Sequence, residues 1–457
     1  MFRRIICVKK LDFIIFIENR NRDLESACLL KCELQRRGYS VLICSALYWG
    51  NFTTLLFREA KIIIVPGLYN NLYVKKYIAF SKSLPHNIIN LQQEQVVAPA
   101  YIESETGFPS GYAQSFYHVC WNYWRQSCLK RYGTPESHAW PFGSMNLDLT
   151  RPMFQDYFPS RAELAKRYQL DINKKWSIFI SSFACPQEYV ELYKKQYPNT
   201  KDAETVSQMG QLQSQSRPVI LEWIQRFLKE NPNFEFIYRP HPSEVRDSAL
   251  DSFAEKNDRF HVINNESLRI WIQVCDVLNN WLSTSIADVY FMHKNCSIVR
   301  PVDIPTHLDY EILNKKYFIC TYNEFVDYQL APQNYPFPVH TDILLDMYIY
   351  DDIPTFVKIC NKAEELYHAP ANSAINEAAH YEISDKSQFR PFWKELRFWL
   401  YSSISVYIPF SKFLRGTKKF SAQRIEKESL GIYKEMHIME KKIRKLLDEY
   451  DNIKFNT

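Results

Sequence analysis

Phe234-Glu235-Phe236-Ile237-Tyr238-Arg239-Pro240-His241-Pro242 joins a short strand directly to a proline-locked turn. Residues 234–238 are mostly aromatic and aliphatic, which suits a buried strand. The two prolines fix φ and hold the backbone extended around His241. The imidazole is therefore aimed from the carboxyl end of a strand. In parallel α/β sheets, ligands gather at that end. An imidazole held beside Arg239 suits a phosphate leaving group, because fixed donors stabilise the charge that develops on the bridging oxygen. The bland alternative is a structural loop whose histidine satisfies backbone groups.

Some forty residues on, Val277–Trp281 reads as another strand, and Ser283-Thr284-Ser285 opens the next helix. Hydroxyls in that place cap a helix. The same amides and the helix dipole also favour an anion. A phosphate fits between this turn and His241, and Asp288, one turn into the helix, is placed to accept ribose hydroxyls. As a lone residue, Asp288 also reads as an ordinary solvated helix side chain.

Around these motifs, strands are expected at 176–182, 234–238, 259–263, 277–281 and 296–300, with helices between them. Residues 184–216 are polar and rich in Gln and Ser. They read as an excursion, mobile or partly helical, with the next helix starting at Pro218.

The first 150 residues repeat the alternation. Phe13–Ile17 is a strand and Asp23–Arg37 an amphipathic helix closed by Gly38. Further strands follow at 41–44, 61–65, 88–91 and 118–120. Repeated β-α-β units mean a parallel sheet with helices on both faces. Two sites stand at strand ends. Glu94, alone among the amides of Gln92, Gln93 and Gln95, can serve as a general base for an acceptor hydroxyl; a plain surface loop is the alternative. Glu18, Arg22 and Asp23 follow the first strand, where Asp23 caps the helix or, with its neighbours, touches an acceptor.

Residues 371–457 change character. Phe389–Phe420 mixes aromatics with bases, and 421–457 is a charged helical pattern. Phe398–Ser411 is uncharged but too short to span a membrane. Flanked by Lys394, Arg397, Lys412, Arg415, Lys418 and Lys419, it suits an interfacial helix on anionic lipid; packing on the core is the alternative. The domain division expected is 1–150, 151–370 and 371–457.

Composition bounds the rest. The net charge of +5 is too small to argue for nucleic acid. Only 10 glycines are present, without a GxGxxG or Walker A pattern. The 11 cysteines lack any CxxC and read as buried thiols of a reducing compartment. Met1-Phe2-Arg3-Arg4 and the residues after it do not read as a signal peptide. A cytoplasmic protein, soluble or peripheral, is expected.

Phe16-Ile17-Glu18 with Arg22-Asp23, then Trp121 through Gly133, Gly143-Ser144-Met145, Arg239-Pro240-His241-Pro242 and Ser283-Thr284-Ser285 together resemble bacterial surface carbohydrate (capsule and lipopolysaccharide) biosynthesis proteins of the GT-B type. These are related to capsule Kdo transferases, His-Pro-motif sialyltransferases and CDP-glycerol glycerophosphotransferases. The resemblance covers roughly residues 12–320. It departs from the pattern at Gln93-Glu94-Gln95, where the family carries an acidic pair ending in glycine. It implies an α/β GT-B fold, with two Rossmann-like domains whose parallel sheets face across a cleft, and a C-terminal helical tail. It also implies a metal-independent glycosyltransferase needing no cofactor. The donor would be a nucleotide sugar, CMP-linked Kdo or a nonulosonic acid, or CDP-glycerol. In that reading His241, Arg239, Ser283, Thr284, Ser285 and Asp288 bind the donor, Glu94 is the base, and Glu18, Arg22 and Asp23 meet a glycan or lipid-linked glycan acceptor at the inner face of the membrane. A nucleotide-sugar epimerase and an inactive scaffold of a polysaccharide assembly complex are the competing readings.

Overall fold

The computed structural model describes the chain apart from residues 1–8, 47–54, 56–57, 79–80, 82, 96–97, 104–106, 197–199, 242–243, 245–247, 382–396, 398–399, 402, 416–421, 423–424, 428–429 and 457. Met1–Arg4, Pro242, Lys394, Phe398, Lys418 and Lys419 thus lie outside the described residues, as does much of Phe389–Phe420. Two compact units emerge. One comprises Met1–Gln95, Phe108–Leu149 and Met347–Thr457; the other comprises Val96–Gly107 and Thr150–Asp346.

In the first unit, β1 (Lys9–Ile17), β2 (Val41–Ser45), β3 (Arg58–Val65), β4 (Asn87–Asn90), β5 (Tyr117–Cys120) and β6 (Ala139–Pro141) form a parallel sheet. Its order is β2-β1-β3-β4-β5-β6. Phe13 to Ile17 and Ile62 to Val65 are buried without alternation, as strands covered on both faces must be. The order reverses between β1 and β3, so the first sheet has its switch point where Glu18 leaves β1. The β6 strand is not among those expected from the sequence; at three residues it is too short to show a pattern.

In the second unit, β7 (Lys175–Ile180), β8 (Phe234–Arg239), β9 (Phe260–Val262), β10 (Val277–Asn280) and β11 (Ser297–Ile298) form a parallel sheet ordered β11-β10-β7-β8-β9. Here the order reverses between β7 and β10. Ser181, Ser182 and the 281–285 loop therefore leave the sheet at its switch point, with the His241 loop on the next strand along. These are two Rossmann-like α/β units, each on a parallel sheet, with a helical C-terminus.

Two features differ from the sequence reading. The segment 184–216, read as mobile or partly helical, holds the Gln187–Gln196 helix and the amino-terminal half of a second, Lys201–Glu230, which runs through Pro218 where a helix was expected to start. Ala203, Val206, Met209, Gly210, Gln213, Ser216, Ile220, Ile224 and Phe227 form its buried face. Their three- and four-residue spacing is a helix period, masked in the sequence because half the face is small or polar. At Gly210 an added Cβ would stand 2.6 Å from Val190 Cγ2 and 3.2 Å from the Cys185 carbonyl, so the two helices approach at a glycine.

Residues 347–370, assigned by sequence to the second half, lie in the first unit. The Asp148 carboxylate accepts the Thr355 and Phe356 amides (3.0 and 2.7 Å) at the start of the Thr355–His368 helix. The Ile432–Asn456 helix also belongs there, packing along the Arg20–Arg36 helix through Arg20–Glu435, Lys31–Glu440 (2.7 Å) and Arg36–Asp451 ion pairs.

Candidate functional site

The first cluster grows from the end of β1. Asn19 caps the Arg20–Arg36 helix by accepting from the Arg22 amide (3.2 Å), three residues earlier than the expected helix start. Asp23 Oδ2 accepts the Glu18 and Asn19 amides (3.0 and 2.9 Å), and its side chain is fully covered. Asp23 therefore shapes the strand-to-helix turn from beneath, rather than capping the helix. Arg22 gathers three carboxylates: Nε donates to Asp23 (2.6 Å), Nη2 to Glu18 (3.2 Å) and Nη1 to Glu94. Glu18 and Glu94 are the exposed members of this group.

The structure thus brings Glu18, Arg22, Asp23 and Glu94 together on one guanidinium. Partial burial raises the Glu18 carboxyl, opposed by Arg22 and reinforced by Asp23 and Glu94. Burial raises the nearby Tyr69 phenol to about 12, with Glu18 and Glu94 adding to the shift.

The loop that presents Glu94 is held by amides. Asn90 Nδ2 donates to Gln92 Oε1 (3.1 Å), and Asn90 Oδ1 accepts the Gln92 amide (3.0 Å), where Gln92 takes a positive φ of 45°. Gln93 Oε1 accepts from Asn146 Nδ2 (3.0 Å), and Asn146 Oδ1 accepts from Ser26 (2.6 Å). Gln95 donates to the Val119 carbonyl (2.7 Å) and accepts the Trp121 amide (2.8 Å). Gln93 and Gln95 are buried while Glu94 points outward. Gln93 and Gln95, the two departures from the acidic pattern of the resemblance, are therefore buried wall residues held by neutral partners. Behind them, His118 Nδ1 accepts from Asn90 (3.0 Å) and Nε2 donates to the Ala113 carbonyl (2.9 Å).

The second cluster lies at the carboxyl edge of the second sheet. Arg239 donates to the Asn265 and Glu266 carbonyls (3.0 and 2.8 Å), which ties β8 to the loop after β9. His241 is half-buried, and its amide donates to Glu244 Oε2 (3.1 Å). Ser283 and Ser285 hydroxyls pair at 2.7 Å, and the Ser285 amide donates to Ser283 Oγ (3.3 Å). The helix they open, Ile286–Phe291, is only six residues long, and the Ser285 side chain makes no capping bond. Part of the expected anion-binding donor set is thus occupied within the turn, alongside half-buried Thr284. Asp288 is paired with Arg269 Nε (2.8 Å), a partner the sequence reading missed; burial raises the Asp288 carboxyl and Arg269 opposes this. Loops on β8 and β10 flank β7, so they leave the sheet about 10 Å apart.

Several buried polar atoms here have no protein partner: Ser182 Oγ after β7, Asn280 Oδ1 and Trp281 Nε1 at the end of β10, and Arg300 Nε and Nη1 after β11. Arg300 stands 5.2 Å from the Trp281 ring and pairs with Asp309 (2.8 Å); burial lowers its guanidinium to about 10. Buried unpaired groups are rare and call for water, an ion or a ligand.

Among the described residues no group of three or more His, Cys, Asp or Glu is arranged to hold a metal, and no helix is long and apolar enough to cross a membrane. Cys28 and Cys32 are buried free thiols; burial pushes Cys32 up to about 12.

No protein-family model and no curated protein sequence matches the chain. Solved structures similar to it include the wall teichoic acid polymerase TagF, 13% identical over 81% of this chain and 90% of that one, with a TM-score of 0.46. The UDP-GlcNAc 2-epimerase from Methanocaldococcus jannaschii is 9% identical over 77% and 99%, with a TM-score of 0.45. That of Neisseria meningitidis is 8% identical over 78% and 99%, with a TM-score of 0.44.

Proposed function

We propose that the chain is a metal-independent glycosyltransferase of surface polysaccharide biosynthesis, which moves a sugar from a nucleotide donor to a glycan acceptor. The observation that carries this reading is the carboxyl edge of the second sheet. There the switch point, the His241 loop and the unpaired polar atoms of Ser182, Asn280 and Trp281 coincide. Such an edge is where a nucleotide's phosphate is bound in doubly wound sheets.

In this reading, Arg239 braces the His241 loop, and His241 donates to the phosphate oxygen as the sugar–phosphate bond breaks. Ser283, Thr284 and Ser285 line the phosphate, and Asp288 orients the ribose with Arg269. An acceptor hydroxyl attacks the anomeric carbon, its proton passes to Glu94, and the nucleotide leaves with the bond's electron pair. Glu18 and Arg22 orient the acceptor. Arg22, paired with Glu94, holds that carboxylate in place for the transfer.

The residues that resemble capsule Kdo transferases favour a CMP-linked Kdo or nonulosonic acid donor; CDP-glycerol is the second reading. Titration of CMP, CDP, UDP and GDP into the protein decides between them. CMP should bind tightest, and preference for UDP would overturn the donor assignment. His241→Ala should cost about 2–4 kcal/mol of transition-state stabilisation, read from kcat/KM; near-normal turnover would end that role.

The lipid-linked acceptor reading includes an anionic membrane partner. Tyr407, Ile408, Phe413 and Tyr433 are exposed, and exposed Arg397, Lys412 and Arg415 are their basic neighbours in sequence.

A further inference from the structure

Glu244 is a nearly inaccessible carboxylate, 3% exposed, around which the His241 loop is built. Four donors converge on it from separate parts of the second unit. Oε2 accepts the His241 amide (3.1 Å) and the Ser181 hydroxyl at the end of β7. Oε1 accepts the Tyr238 hydroxyl of β8 (2.7 Å) and Arg217 Nε from the Lys201–Glu230 helix (3.1 Å). The Glu244 amide in turn donates to the His241 carbonyl (2.9 Å). One residue thus grips both backbone groups of His241, and is itself fastened to two strands and a helix.

Both oxygens of this buried carboxylate are met by donors, one of them a guanidinium. Tyr238 answers the same arrangement. Burial, with Glu244 adding to it, raises its phenol far above the ordinary range, so its hydroxyl stays a donor. Pro240 restricts the backbone just before His241, but it does not say where the imidazole stands relative to the sheet. The Glu244 contacts do.

We propose that Glu244 is the positioning residue of the Arg239–His241 loop, fixing where the imidazole stands at the carboxyl edges of β7 and β8. This rests on the reading of His241 as the phosphate's partner, but the loop geometry is measurable without activity. Glu244→Gln keeps the size while replacing one acceptor oxygen with an amide that faces donors. Histidine-selective 13C labelling, with His241→Gln to assign the signal, reports the imidazole directly.

In folded Glu244→Gln the His241 resonance should shift or broaden while the other histidines stay in place, and affinity for the preferred nucleotide should fall at least tenfold. An unmoved His241 resonance and unchanged affinity in the folded variant would overturn the proposal. Should Glu244→Gln fail to fold, Ser181→Ala and Tyr238→Phe each remove one anchor of the carboxylate. Both should move the same resonance, and silence in both would overturn it equally. If His241→Gln leaves nucleotide affinity and turnover unchanged while Glu244→Gln still moves His241, the phosphate role fails and the positioning role stands.

Discussion

Single side chains carry the sharpest consequences. Glu94→Gln removes a carboxylate that is largely exposed and paired only at its tip with Arg22. Such a change should leave folding and nucleotide binding intact and abolish transfer. A variant that retained transfer would move the base elsewhere, with Glu18 the nearest exposed carboxylate on the same guanidinium. His118 makes a second test. Its ring must be neutral, since Nδ1 accepts from the Asn90 amide group and Nε2–H donates to Ala113. Burial lowers it from 6.5 to about 4. Between those values the unfolded chain binds the proton and the folded chain does not. Stability therefore rises with pH across that window and falls as pH drops through it, by about 1.4 kcal/mol per pH unit for one proton. Urea unfolding of His118→Gln from pH 4 to 6.5 should show a slope smaller by about that amount; an unchanged slope would mean the imidazole is charged in the fold.

Among elements, the Lys201–Glu230 helix is where sequence and structure part most clearly. Its amino-terminal half carries Gln, Ser and Gly where an amphipathic pattern needs bulk, so hydropathy hides the period. The reason is contact distance: Gly210 lets the Gln187–Gln196 helix approach, and Gln213 accepts the Cys185 amide (2.8 Å). Gly210→Leu should destabilise the second unit by about 1–3 kcal/mol through overpacking, measured by thermal unfolding; a neutral result would show that the two helices can part without cost. The strands were legible because buried parallel strands read as apolar runs. Their lateral order was not, since pairing depends on crossovers that local pattern does not encode.

For the molecule as a whole, the C-terminal segment joins the first unit through the Ile432–Asn456 helix and its ion pairs with the Arg20–Arg36 helix. It leaves Tyr407 and Phe413 largely exposed. An exposed aromatic pair with basic neighbours should bind vesicles containing anionic lipid and be released by salt. Tyr407→Ser with Phe413→Ser should lower vesicle binding about tenfold or more, from the apolar area lost, without changing nucleotide affinity. Equal binding to neutral and anionic vesicles would argue against an electrostatic docking surface.

Local pattern was enough to read the α/β class, nearly every strand, and the candidate motifs at residues 239–241, 283–285 and 94, because hydrophobic period and proline chemistry act over a few residues. Tertiary structure alone decided the partners. Arg22 meets Glu94 across 72 positions of chain, and Asp288 is taken up by Arg269. Glu244 stands three residues beyond His241, yet its grip on that loop became visible only when Ser181, Tyr238 and Arg217 converged on it. A buried carboxylate is defined by the donors that folding brings to it, and no local pattern names them.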